Sequence, residues 1–153
     1  MLQVIFNYIV TAVLITPLAV GVQFTSYYGG RYITESLGSS VNFSWTFQGA
    51  DFHFIDFVFL KSLDQLNIDG NDRLIAISRN GFVYVANQAY AGRLKGIWNN
   101  ETNPGQVTFT LSSIQAHESR LFGCRIQPKS FLLSPIVDPV NLVVVGSLPR
   151  RQN

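Results

Sequence analysis

The sequence predicts an all-β fold built from two packed antiparallel sheets. Three observations carry this. Apolar residues recur at every second position in five runs: Val41, Phe43 and Trp45; Ile55, Phe57 and Phe59; Val107, Phe109 and Leu111; Phe122, Cys124 and Ile126; Val140, Leu142 and Val144. A period of two sets each run on one face of a strand, against a core. Turn signals stand between the runs, at Gly49, Asp69-Gly70, Asn80-Gly81 and Asn103-Pro104-Gly105. No long stretch shows the 3.6-residue period of an amphipathic helix, and many short strands with frequent turns suit a two-layer sandwich.

The chain has 153 residues, of which 47% are hydrophobic, 13% aromatic and 13% charged. That balance excludes disorder and suits one core of ordinary size. Eleven basic residues face nine acids, but Arg150 and Arg151 lie in the tail SLPRRQN, so the body is near neutral. It has no electrostatic footprint for nucleic acid. The single cysteine, Cys124, excludes a disulfide framework and a multi-cysteine metal site.

His53 and His117 have no acid or cysteine at metal-ligand spacing. The stretch 65–76 has Asn67, Asp69 and Gly70 at offsets that suit a calcium loop, but Ala76 stands where a bidentate glutamate is needed. There is no glycine-rich phosphate loop, G-x-S-x-G elbow or H-E-x-x-H motif. The expectation is therefore a non-enzymatic chain with no cofactor and no metal.

Three parts are expected: a signal peptide over 1–21, a domain over 22–147 and a polar tail over 148–153. No charged side chain precedes Arg31, and YIVTAVLITPLAVGV is mostly apolar. Ala19-Val20-Gly21 supplies the small-x-small pattern of a cleavage site, with Pro17 just before it. An uncleaved signal anchor and a buried core segment are the other readings of this stretch. Asn42-Phe43-Ser44 and Asn100-Glu101-Thr102 fit the glycosylation acceptor pattern. Alternation turns Asn42 away from the core, and Asn100 lies in the exposed turn NNETNPG. The chain is expected outside the cell, secreted or at the extracellular face of the plasma membrane. Contact with a membrane would come only from an uncleaved anchor or from a span beyond Asn153.

The segment VTFTLSSIQAHESRLFGC, residues 107–124, resembles the E-to-F signature of immunoglobulin superfamily domains. Val107, Phe109, Leu111 and Ile114 take the apolar places, Glu118 stands for the aspartate, Phe122 for the tyrosine and Cys124 for the second cysteine. GSSVNFSW is similar to the B-strand pattern, with Trp45 where the first cysteine belongs, and Phe57 takes the place of the strand-C tryptophan. AGRLKG resembles the D-strand motif whose arginine pairs with the acid before strand F, which implies an ion pair between Arg93 and Glu118. NLVVVG resembles strand G. The resemblance covers roughly 31–146 and implies an immunoglobulin-like sandwich without its inter-sheet disulfide.

About eighty residues separate Trp45 from Cys124, room for five strands at one per ~8–12 residues. The hairpin LIAIS–FVYVAN, joined by Asn80-Gly81, supplies the extra strands of a variable-type domain. In order, strands are expected near 40–47 (B), 53–61 (C), 73–78 (C′), 82–86 (C″), 92–98 (D), 106–112 (E), 120–127 (F) and 139–146 (G). The core markers are Trp45, Phe57, Phe122 and Cys124. Cysteine-poor variable-type domains occur among vertebrate adhesion receptors and among invertebrate allorecognition and immune-type receptors, and the aromatic-rich core of this chain resembles the invertebrate group.

If one face of strands C, F and G is buried, the other carries Val58, Leu60, Leu121, Val143 and Val145. These form an expected apolar protein-binding face, extended by Phe131, Leu132 and Leu133 in the loop PKSFLLSP. The resemblance implies adhesion or immune-type recognition of a protein partner, a second copy included, as a weak homodimer through Leu60, Leu121 and Val143. The alternative is a secreted carbohydrate-binding module, for which Tyr27, Tyr28, Tyr32, Tyr90 and Trp98 are the available aromatics.

Overall fold

The computed structural model describes residues 21–49, 51–99, 104–130 and 132–146. The segment 1–20, both ends of the sequon turn at Asn100 and Thr102, Phe131 and the tail from 147 lie outside the described residues. The chain forms an immunoglobulin-like sandwich. One sheet has the order β1 (Gln23–Ser26), β3 (Val41–Gln48), β8 (Gly105–Leu111), β7 (Leu94–Asn99). The other has the order β2 (Tyr32–Ser36), β10 (Ile136–Val145), β9 (Arg120–Pro128), β4 (Phe52–Phe59), β5 (Arg73–Ser78), β6 (Val83–Val85). This is the strand set of a variable-type sandwich, with β5 and β6 added to the C-F-G sheet. All pairings are antiparallel except β2 with β10.

Eight strands fall where alternation, the Asn80-Gly81 turn and the D-strand resemblance put them. β1 and β2 are additional. They share the N-terminal segment between the two sheets and cover one edge of each. The β5–β6 turn closes through Ser78 N donating to Phe82 O (2.9 Å) and Gly81 N donating to Ser78 O (2.9 Å). Gly81 sits at φ +83, the left-handed conformation that a three-residue hairpin loop gives to glycine.

The core is aromatic. Phe57 of β4 stacks on Phe122 of β9 (5.2 Å between centroids) and on Phe109 of β8 (5.0 Å), and meets Phe43 (5.0 Å) and Trp45 (6.2 Å) of β3. Cys124 is in register with Phe57, fully buried and free. A missing inter-sheet disulfide forfeits ~2–5 kcal/mol in a small secreted domain. Aromatic pairs contribute ~0.5–1.5 kcal/mol each beyond area burial, so four contacts around Phe57 offset a loss of that size.

A polar link also crosses between the sheets. Trp45 Nε1 donates to Asp138 Oδ2 at 2.6 Å, joining β3 to β10. Asp138 is the register partner of Cys124, so the link runs where the disulfide would. The same carboxylate accepts from the backbone N–H groups of Tyr28 and Gly29 (2.9 Å for Gly29), which holds the turn between β1 and β2. Three N–H donors thus satisfy a buried carboxylate without a cation among its hydrogen-bond partners.

Candidate functional site

The outward face of the six-stranded sheet corrects the expected binding face. Val58 and Leu60 are buried, Leu121 and Val143 are half-buried, and Val145 alone of the five is exposed. The reason is the chain that leaves β4. Leu60 N donates to Leu121 O (3.1 Å), and its side chain lies over Gly123, where an added Cβ would come within 2.6 Å of Leu60 Cδ1.

Three residues on, Leu63 Cδ2 lies 2.8 Å from the position of a Cβ on Gly30. Gly30 N donates to Pro139 O (2.7 Å), and Pro139 is the register partner of Gly123, itself the partner of Val58. The segment 60–63 therefore straps back across strands β9 and β10 at the level of Val58. Leu60, named for the expected two-fold contact, is buried within the chain rather than presented to solvent.

Beyond the strap the face is ionic. Asp56 is fully buried and takes Arg125 on one side (Nε to Oδ2, 2.9 Å, with a second contact from Nη2) and Arg73 on the other (Nε to Oδ1, 3.2 Å). Register partners bring the three together, because Asp56 pairs with Arg125, and Arg73 with Val58. Outward phase on a strand led to no expectation of burial for Asp56 or Arg125. A buried charge held by two guanidinium groups rigidifies the middle of the face.

Three aromatic side chains exposed to solvent lie further along the same sheet. Phe54 of β4 is opposite Ser78 of β5, and Ser78 N bonds Phe82 O across the turn; the next row puts Asp56 opposite Ala76, and Ala76 opposite Tyr84. Neighbouring strands are ~4.8 Å apart, so Phe54 and Phe82 flank a floor of small residues about 10 Å wide. Phe54, Phe82 and Tyr84 are 42%, 68% and 56% exposed. Leu132 and Leu133, in the loop between β9 and β10, are exposed as well.

Beside Phe54 opens a cleft of about 530 Å³ lined by Phe52, His53, Phe54, Ser78, Arg79, Asn80 and Lys129. It lies where the start of β4 meets the loops after β5 and β9, at the end that carries binding loops in variable-type sandwiches. Phe82 and Tyr84 were legible as a strand but not as a rim.

The other expected residues are placed as follows. Trp45, Phe57, Phe122 and Cys124 are all fully buried. Burial pushes the Cys124 thiol well above its usual range, with Asp138 and Asp56 adding to it. Arg93 and Glu118 meet: Nη2 lies 2.8 Å from both carboxylate oxygens, and Glu118 also accepts from Gln115 N at 2.8 Å. Tyr90 leans on the same carboxylate, and burial with the nearby charge raises its hydroxyl to about 12. Asn42 is exposed on β3, its Oδ1 accepting from Thr110 Oγ1 at 2.7 Å.

Among the described residues no group of three metal-ligating side chains converges, and no helix is long and apolar enough to cross a membrane. The five aromatics available to a sugar-binding face do not line up as a row: Tyr28 packs edge-on against Trp45 (5.1 Å), Trp98 stacks on Phe47 (5.1 Å) and Tyr90 is buried. Only Tyr27 and Tyr32 of the five stay exposed, because core packing claims the rest.

No family model and no curated protein matches the chain. Solved structures do match. One is murine CRIg, an immunoglobulin-superfamily domain, at 12% identity and a TM-score of 0.56, covering 81% of this chain and 98% of that one. The fold is immunoglobulin-like. At this identity the likeness is one of fold.

Proposed function

We propose that the chain is a non-enzymatic extracellular recognition domain, of adhesion or immune type, that binds a protein partner. The observation that carries the proposal is the rim of exposed Phe54, Phe82 and Tyr84 beside the loop cleft. Aromatic side chains dominate the binding energy of protein interfaces, and a soluble domain gains nothing from leaving three such rings in water. The recognition surface is thus moved from the C-F-G centre, which the strap covers, to the β4–β5–β6 half of the sheet.

Export through the segment 1–21 is part of the proposal. The small-x-small pattern Ala19-Val20-Gly21 supports that boundary. The exposed side chain of Asn42 supports glycosylation there, and the sequon at Asn100 is proposed with it. The domain acts secreted or at the extracellular face of the plasma membrane. A second copy of the chain is one protein partner that fits, since a near-neutral body repels itself little.

Staining of intact cells with the tetramerised chain tests this, because multivalency raises weak affinities to a readable level. Saturable staining that trypsin treatment of the cells removes, and that Phe82→Arg abolishes, is the expected result. Staining that survives trypsin and is lost on deglycosylating the cells would replace the proposal with the carbohydrate-binding one. No saturable staining on any cell, together with no self-association, would refute both.

A further inference from the structure

The aromatic rim does not account for the charge of the cleft beside it. Arg79 and Lys129 both line it, together with the exposed ring of Phe54 and the buried Phe52. Lys129 has no ion pair among the described residues, although its backbone N–H is tied to Asp51 O at 3.0 Å. Arg79 meets Asp51 at 3.4 Å, with 54% and 76% of the two side chains exposed. Such a surface pair is worth about 0–1 kcal/mol, so a ligand can displace it. Asp51 itself is not part of the lining. Two cations therefore face a half-apolar hollow, Lys129 without an ion pair among the described residues and Arg79 held only by its solvent-exposed pair with Asp51.

We propose that this cleft binds an acidic peptide segment of the partner protein. A glutamate or aspartate carboxylate lies between Arg79 and Lys129, the planar guanidinium offering paired donors and the ammonium a point charge. The apolar side chain next to it in the peptide packs on Phe54. Ser78 and Asn80 are the neutral hydrogen-bonding side chains of the lining, too few for the many hydroxyls of a sugar. A peptide, whose apolar side chain matches the exposed ring of Phe54, fits the hollow better. This assignment rests on the reading of the domain as a protein-recognition module.

The test is titration of the isotope-labelled full chain with acetyl-Glu-Leu-Glu-amide, acetyl-Gln-Leu-Gln-amide and 3′-sialyllactose, followed by amide chemical shifts. The acidic peptide should shift His53, Phe54, Arg79, Asn80 and Lys129 with a dissociation constant on the order of millimolar. The neutral peptide should bind at least threefold more weakly, and Arg79→Ala and Lys129→Ala should each weaken the acidic one at least threefold. Both residues are exposed, so an otherwise unchanged spectrum certifies the fold of each variant. Equal shifts from the neutral peptide, or none from the acidic one, overturn the proposal. Preference for sialyllactose at the same residues overturns it in favour of an acidic glycan. If the peptides fail while tetramer staining persists and depends on Phe82, the recognition reading stands and the cleft assignment falls alone.

Discussion

Replacing Asp138 by asparagine removes the charge at the centre of the cross-sheet link. The carboxylate accepts from Trp45 Nε1 at 2.6 Å and from the backbone of Tyr28 and Gly29. Hydrogen bonds to a charged group contribute ~1.5–3 kcal/mol each, and a buried donor left unmatched costs ~1–3 kcal/mol. Asparagine keeps one acceptor oxygen but turns an NH2 group toward at least one of the three donors. Asp138→Asn should therefore cost about 2–4 kcal/mol, a large part of the ~5–15 kcal/mol that holds a domain together.

The specific worth of the link follows from a double-mutant cycle with Trp45→Phe, which removes the indole N–H and keeps an aromatic ring. Urea unfolding followed by far-UV circular dichroism reads all four proteins without relying on tryptophan emission. The coupling energy should be about 1.5–3 kcal/mol, within the ~2–5 kcal/mol range of the absent disulfide. A coupling below about 0.5 kcal/mol, the usual limit of additivity, would mean that Trp45 acts only as packing and that no polar staple joins the sheets.

Other expectations follow from the same structure. Arg93→Ala leaves Glu118 buried with only neutral donors and should cost about 2–4 kcal/mol, somewhat under the value for a fully buried pair because Arg93 is partly exposed; urea unfolding checks this. Tyr90, with its hydroxyl raised to about 12, keeps a proton that the unfolded chain loses near 10. Stability should thus be complete below pH ~10 and fall as pH rises from there toward 12, a decline that Tyr90→Phe should flatten in thermal melts. Cys124 should resist a thiol reagent at pH 8 in the native chain and react fully in denaturing urea; rapid native labelling would contradict its burial. Gly123→Ala places a methyl against Leu60 and should cost about 1–3 kcal/mol by overpacking, with faster amide exchange at Leu63 as the strap lifts.

Five strands, β3, β4, β8, β9 and β10, were legible because each buries one face and a period of two then survives in the sequence, while β5 and β6 were legible from the Asn80-Gly81 turn and β7 by resemblance. β1 and β2 were not. They are short edge strands with one partly buried apolar residue apiece, Phe24 and Ile33, so no alternation marks them. Asp138 carried a signal that went unread: it shares the inward phase of Val140 and Leu142, and an acid in that phase needs buried donors. Gly123 carried another, since a glycine inside a central strand marks the close approach of something else. The path of the strap was not legible, because a polar loop from Lys61 to Asp72 has no period that fixes where it lies. The Arg93–Glu118 pair was legible by resemblance. The aromatic rim was half-legible: Phe82 and Tyr84 alternate with Val83 and Val85, but only the register with Phe54 shows that three rings share one patch.

The location of the recognition surface is tested most directly by comparing two arginine substitutions in the tetramer-binding assay. Phe82→Arg lies on the exposed rim, and Leu121→Arg lies on the half-buried face beside the strap. An aromatic hot spot is worth ~2 kcal/mol or more, about thirtyfold in affinity, so Phe82→Arg should weaken binding by at least that factor. Leu121→Arg should leave affinity within about twofold, provided that its urea midpoint shows the fold intact. Loss of binding in Leu121→Arg with Phe82→Arg unaffected would return the site to the C-F-G face and contradict the assignment made here.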